Sequence, residues 1–402
     1  MRIIIIGCGV AGVTAAKVIK QNAPETEVTV YTDEVQLYYP RPRLYEIISG
    51  AKELQEIYSY TQEFYGQFGI KVQLGRQVLS IDTANKELTL EGSLKASYDR
   101  LLLANGARAF VPSIKGVEKK GSFTLRTVED AVAIKQYADK GKKAIVIGGG
   151  LLGLEFAACL RKPGQQISVV EIRPRLLPMQ LDQDSSAMLE DDLRELGVDV
   201  LLEVKTVEIL GKETVAGVSL DNGKEISGEL VLISAGIKPN LKLAEDAGVK
   251  VNRGVVVDEY MRTSASDVYA AGDVIEFHGQ VYGTIPPAVE QANIASVNML
   301  GGEESVYKGT KYPTSLKISN ISLTSMGLVN PEGSRYEEIK KIDRPEHIYK
   351  KIVLDQGKIV GAILLGDRKG ALTLMKLMQQ QKDVTKYENH LLEDDFDYRQ
   401  VI

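Results

Sequence analysis

Two segments of the chain open with unbroken branched apolar residues and break abruptly into glycine. Residues 3–12 read IIIIGCGVAG and residues 144–153 read AIVIGGGLLG. A parallel strand buried on both faces has no polar side to alternate with, so these runs predict two such strands. The residues that follow, VTAAKVIKQ and LEFAACLRK, predict a helix after each glycine turn. Near the end of the chain, SLKISNISLTSMG, YKKIVLD and KIVGAILLG predict strands, and KGALTLMKLMQQ a helix with a Leu/Met core stripe. A longer helix is expected over Ile285 to Leu300, where IPPAVEQ places two prolines at its start.

The glycine spacing adds chemistry to the pattern. Both turns have the form Gly-x-Gly-x-x-Gly: Gly7, Gly9 and Gly12, then Gly148, Gly150 and Gly153. In such a turn the first glycine permits the sharp exit from the strand. The second lets a pyrophosphate approach the backbone, and the third lets the helix pack on the strand. The helix start at Val10 and Ala11, and again at Leu151 and Leu152, then turns its N–H groups and dipole toward phosphate. An acid about 20 residues further on, at the end of the next strand, binds ribose hydroxyls. After the first turn this is Asp33, with Thr32 just before it, and after the second it is Glu171. Two dinucleotides are expected. Glu171 accepts from a free 2′-hydroxyl and repels a 2′-phosphate, which favours NADH; Arg173 and Arg175 just beyond keep NADPH as the alternative.

Composition sets outer limits. The chain has 402 residues, 44% hydrophobic and 26% charged, as expected of a soluble globular protein of two to four domains. Forty-nine basic against fifty-four acidic residues leave a net charge of −5, so neither nucleic acid nor an anionic membrane is expected as a partner. No apolar window is long enough for a membrane span, and with Met1-Arg2 running at once into the first strand no signal peptide is expected. The two cysteines, Cys8 and Cys159, match no metal or disulfide spacing, which suggests a cytoplasmic protein. His278, His347 and His390 are dispersed, and no metal site is expected.

Two further stretches, YDRLLLANGARAFVP (Tyr98 to Pro112) and TSASDVYAAGDV (Thr263 to Val274), complete a set of four landmarks. In this order the chain resembles the FAD- and NAD(P)H-dependent pyridine nucleotide-disulfide oxidoreductases. The resemblance implies an α/β fold with two Rossmann-like dinucleotide-binding domains plus a smaller α+β C-terminal domain. The FAD domain would be discontinuous, about 1–112 and 241–306, the NAD(P)H domain would cover 113–240, and the C-terminal interface domain 307–402. The first glycine turn would hold FAD and the second NAD(P)H, with Ala104, Asn105, Gly106, Gly236, Gly272 and Asp273 completing the cofactor contacts. Asp273 would lie beside the flavin ribityl chain, while Asn105 departs from the family's usual threonine. The start of the 285–300 helix, at Ala288 and Val289, would point at the flavin N1–C2=O edge, with Glu290 or Gln291 on the acceptor side. Glu155 would contact the nicotinamide carboxamide.

The family's disulfide reductases carry a CxxxxC pair or a single cysteine near the flavin, and neither is present. Tyr38 to Leu44, YYPRPRL, is instead similar to the YxRPxL stretch of ferredoxin-, rubredoxin- and nitrite-reductase-type flavoproteins. That likeness implies Arg41 and Pro42 along the FAD and Arg43 near the isoalloxazine. Ferredoxin-reductase relatives place a lysine where this chain has Glu46. The reaction implied is electron flow from NADH through FAD to a small redox protein of the rubredoxin or ferredoxin type. The alternatives are an NAD(P)H oxidase, a quinone reductase, or a flavin- and NAD-binding subunit of a larger reductase. Relatives include monomers and homodimers. The tail LLEDDFDY is expected to be a solvated acidic end.

Overall fold

The structure, a computed structural model, describes residues 1–138, 143–161, 165–301, 304–310, 312–318, 321–393, 396–397 and 400–401. Ser319 and Asn320 of the first predicted C-terminal strand segment, and Asp394 and Asp395 of the acidic tail, lie outside the described residues. The chain forms two compact units. One comprises Met1–Ile47, Ala51–Phe110 and Ile237–Thr310; the other comprises Ile48–Gly50, Val111–Gly236 and Lys311–Ile402.

The first unit is built on five parallel strands. Their order is Val268–Ala270, Arg100–Leu103, Arg2–Ile6, Glu27–Tyr31 and Ile70–Gln73. Arg2–Ile6 is central, and Ile3 to Ile6 are all buried, which is why this strand has no polar alternation. Each such isoleucine stabilises the fold by about 1.5–3 kcal/mol relative to exposure. The helix Val10–Asn22 follows and packs along the helix Ile285–Leu300. Their contact is made close by small buried residues, Ala11, Ala15 and Ala16 on one side and Ala288, Ala292 and Ala295 on the other. The hydroxyl of Ser296 donates to the Ala15 carbonyl across it, at 3.3 Å.

The second unit repeats the plan. Its parallel strands lie in the order Val198–Leu201, Gln166–Val170, Lys143–Ile147, Leu230–Ile233 and Ser122–Phe123. The helix Leu151–Leu160 leaves the second glycine turn, and the helix Gln183–Glu195 precedes the strand Val198–Leu201. The same unit contains an antiparallel sheet, in the order Thr314–Ile318, Ile321–Gly327, Lys358–Leu365, Ile348–Asp355, Tyr336–Asp343. Tyr336–Asp343 has no counterpart among the predicted strands. It is an edge strand, YEEIKKID, whose charges suit an exposed rim and mask its period. The helix Ala371–Gln380 buries Leu374, Leu377 and Met378, as the core-stripe reading expects.

The tail corrects one expectation. Leu391 and Leu392 are buried with the core around Leu374 and Leu377, so LLEDDFDY is not a wholly solvated end. Two adjacent leucines offer more apolar surface than the following acids need to keep wet, and burial wins.

Candidate dinucleotide sites

The two glycine turns are alike in register. Ile6 pairs with Tyr31 and Ile147 with Val170, and the next N–H in each copy closes the turn. Gly7 donates to the Tyr31 carbonyl at 2.7 Å, and Gly148 to the Val170 carbonyl at 2.8 Å. Gly7 and Gly148 have φ of 110° and 116°, a region L side chains rarely enter. A Cβ at either would also stand 2.2 Å from a backbone oxygen, of Ala104 and Ser234 respectively. Gly12 and Gly153 are needed for close packing, because a Cβ would meet the Gly7 and Gly148 carbonyls at 1.9 and 2.1 Å. Gly9 and Gly150 differ: a Cβ on either would meet nothing within 4 Å. Protein sterics therefore do not require glycine there.

The helix starts fit the same ligand. Gly9 and Gly150 are N-caps without side-chain hydrogen bonds, and neither helix has an acid in its first turn. The partial positive charge at each start is left for an external anion. Leu151 is half-buried and Leu152 exposed, while Val10 is half-buried and Ala11 buried.

The acids after the second strands are placed differently in the two copies. Glu171 directly follows its strand, is buried, and accepts from the Gly149 N–H at 2.7 Å and the Arg173 N–H at 2.8 Å. Thr32, also buried, holds the matching position in the first copy, and Asp33 is one residue further and exposed. The half-buried carboxylate of that loop belongs to Glu34, which sequence reading passed over. It accepts from the Tyr39 hydroxyl at 2.6 Å and is ion-paired with Arg41, whose guanidinium also lies over the Tyr39 ring. Burial opposes the Arg41 charge, but Glu34, Tyr39 and Asp273 outweigh it and hold its pKa above the usual value. Asp273, far away in sequence, thus lies close enough to add to the field that holds the Arg41 charge. The signal for Glu34 was present: an acid seven residues before an arginine in a proline-stiffened turn.

Asn105 and Gly272 lie against the first turn, beside Gly7 and Ala11. Arg43 and Glu46 form a half-exposed pair at 2.7 Å, and Pro42 is exposed. Asn105 and Asn240 exchange side-chain bonds to each other's carbonyls, at 2.9 and 2.8 Å, so the Asn105 amide is engaged by protein. Gly106 and Gly272 have φ of 61° and 87°, and Gly272 leads into half-buried Asp273. Gln291 is fully buried, accepting from Gly272 N–H at 2.9 Å and donating to Tyr307 at 3.1 Å. It positions the Gly272–Asp273 turn and does not line a surface, unlike half-buried Glu290. The helix Ile285–Leu300 has no side-chain N-cap bond; Pro286 and Pro287 have no N–H, so Ala288 and Val289 carry the next donors.

Two ionisable groups are displaced by burial. The Cys8 thiol, beside Tyr65 in the first turn, is pushed up to about 12 and is neutral at physiological pH. Glu155, half-buried on the helix Leu151–Leu160, is pushed up to about 7 by burial alone and has no hydrogen-bond or ion-pair partner among the described residues. Gly236, at φ 103°, likewise faces open space. Among the described residues there is no metal-ligating cluster, and no helix is long and apolar enough to cross a membrane.

Two open glycine turns, each on its own parallel sheet and each opposite an uncapped helix, define a protein that holds two dinucleotides. Residues 1–292 match the family described as pyridine nucleotide-disulphide oxidoreductase, and residues 313–382 match the rubredoxin NAD+ reductase C-terminal domain. The chain belongs to this family of FAD- and NAD(P)H-dependent flavoprotein oxidoreductases. It is 35% identical to nitrite reductase [NAD(P)H] of Bacillus subtilis, over 96% of this chain and 48% of that one. It therefore spans about half the length of the nitrite reductases it matches. It is 32% identical to NADH-rubredoxin oxidoreductase of Clostridium acetobutylicum, over 95% of each chain, and superposes on that enzyme's solved structure with a TM-score of 0.79. A ferredoxin reductase from Rhodopseudomonas palustris, 24% identical, shares the fold over 99% of both chains with a TM-score of 0.90.

Proposed function

We propose that this chain passes electrons from NADH through FAD to a small redox protein of the rubredoxin or ferredoxin type, in the cytoplasm. The first glycine turn, with Arg41 and Asp273, is the FAD site, and the second, with Glu171 and Glu155, is the nicotinamide nucleotide site. FAD, when bound, supplies the hydride acceptor and the one-electron donor. The chain supplies placement and charge. Gly9 and Gly150 admit pyrophosphate to the backbone, and the uncapped helix starts stabilise its charge. Arg41, already oriented by Glu34 and Tyr39, adds a fixed cation on the FAD side. The Glu171 carboxylate favours a free ribose 2′-hydroxyl over a 2′-phosphate and so NADH over NADPH. Glu155, unpaired and near neutrality, accepts from the nicotinamide carboxamide N–H and orients the ring.

The neutral Cys8 carries the choice of acceptor class. A thiol titrating at about 12 supplies no thiolate, and the chain's other cysteine, Cys159, is far away in sequence on a helix of the second unit. Without a sulfur relay, electrons leave the flavin directly. The half-length match to nitrite reductases favours a second reading, the flavin- and nucleotide-binding part of a larger reductase. Anaerobic protein with NADH, offered rubredoxin, ferredoxin, quinone and O₂ in turn, separates these. Fast turnover with an iron–sulfur protein or rubredoxin alone supports the first reading. Fast O₂ or quinone reduction refutes it, and slow reduction of every acceptor favours the second.

A further inference from the structure

The loop that leaves Glu171 and ends at Asp182 is held from two sides. On one side it rests on the second glycine turn. Leu176 and Leu177 are buried, the Leu177 N–H reaches the Gly149 carbonyl at 3.4 Å, and a Cβ on Gly149 would stand 2.6 Å from Leu176. On the other side it meets the antiparallel sheet of the same unit. The Asn330 side chain donates to the Pro178 and Leu181 carbonyls at 3.2 and 3.0 Å, and the Ser325 hydroxyl to the Gln180 carbonyl at 2.7 Å.

Asp182, the N-cap of Gln183–Glu195, closes the loop. One carboxylate oxygen accepts from Ser185 through backbone and hydroxyl; the other accepts from Tyr349 at 2.5 Å and Lys351 at 3.1 Å, with Lys340 at 3.3 Å. Tyr349 and Lys351 are two apart on Ile348–Asp355 and so share a face of the strand. Both are almost wholly buried, and Lys351 is also paired with Glu338 at 2.8 Å. A buried lysine is tolerated only where its charge is met, here by Asp182 and Glu338 together, and removing Asp182 or Lys351 weakens the balance of this buried cluster.

We propose that the C-terminal sheet is a positioning element for the nicotinamide nucleotide: Asn330, Ser325, Tyr349 and Lys351 fix the 172–182 loop and thereby the Gly149–Glu171 side of the second glycine turn. The inference rests on assigning that turn to the nicotinamide nucleotide. The coupling runs through contacts in one continuous chain. Sheet side chains hold the carbonyls of residues 178–181, Leu176 and Leu177 press on Gly149, and Gly149 donates to Glu171. The loop's other bonds run within it, from Gln180 and Leu181 to the Leu177 carbonyl, or to Ser186 and Glu203 nearer its start, so the sheet contacts are what tie residues 178–182 to a separate rigid element.

The test uses the FAD-loaded chain and two variants. Asn330→Ala removes two backbone contacts without burying a charge, and Lys351→Met breaks the ionic anchor. NADH dissociation constants from fluorescence titration should rise at least about tenfold in each, with FAD content unchanged. Steady-state KM for NADH should rise by a similar factor at unchanged kcat, and hydrogen exchange should accelerate in peptides spanning 172–182. If Lys351→Met fails to fold, Asn330→Ala alone decides. Accelerated loop exchange with wild-type NADH affinity overturns the coupling, as does an unchanged loop in Asn330→Ala. Wild-type protein that binds FAD but no nicotinamide nucleotide refutes the assignment of the turn instead.

Discussion

Replacing Glu155 with glutamine isolates the one unpaired carboxylate on the nucleotide-side helix. Burial lifts its pKa from an ordinary value of 4.5 to about 7. Between those values the folded chain binds more protons than the unfolded one, so stability falls as pH rises through the window and levels off above it. The full displacement corresponds to about 3 kcal/mol. Partial exposure lets solvent screen the charge, which leaves about 1–2 kcal/mol. Glutamine has a similar shape and no charge to lose. Its stability advantage should be near zero at about pH 5 and reach that magnitude at about pH 8, a melting shift of a few degrees for a domain of this size. Differential scanning calorimetry of both FAD-loaded proteins at fixed salt and several pH values measures it. Curves that run parallel in pH, or a wild type that is more stable above neutrality, would refute burial as the cause. A second arm follows from the proposed contact: a carboxamide N–H favours the ionised carboxylate. Wild-type NADH affinity should therefore strengthen between about pH 6 and 8, while the glutamine variant stays flat.

Two other outcomes follow from the first glycine turn. Gly12→Ala places a methyl 1.9 Å from the Gly7 carbonyl and should abolish soluble expression, whereas Gly9→Ala meets open space and should fold with wild-type circular dichroism but bind FAD about tenfold more weakly. A Gly9→Ala protein with undiminished flavin affinity would show that pyrophosphate does not use this approach. Cys8, at a pKa of about 12, is thiolate in only about one molecule in ten thousand at pH 8, so iodoacetamide should leave it unmodified in native protein and label it after denaturation. Rapid native labelling, read by mass spectrometry of its peptide, would restore a thiol to the chemistry.

The parallel cores and glycine turns were legible because their constraints are local. A buried strand must be apolar throughout, and a backbone turn at φ of 110° must be glycine. The start of Ile285–Leu300 was readable for a similar reason, since prolines mark where N–H groups are dispensable. Glu34 escaped because counting to an acid about 20 residues on stops at Asp33, while the pairing with Arg41 depends on how the next turn folds back. The Asp182 anchor was wholly hidden. Lys351 lies 169 residues from it, and a lysine in a strand reads as a surface residue until topology supplies its partner. Likewise Gln291 looked like an acceptor-side residue in one dimension, but the helix turns it inward to Gly272.

The hydrogen bonds by which the sheet grips the 178–181 segment go to its carbonyls, which every residue possesses. Ile172 and Met179 stand 60% and 79% exposed, and Arg173 is exposed beside them. Substitutions at these sites can drift without loosening the anchor, so on the proposed assignment of the second turn a lineage, or an engineer, can retune which reduced coenzyme is preferred while the scaffold beneath stays unchanged.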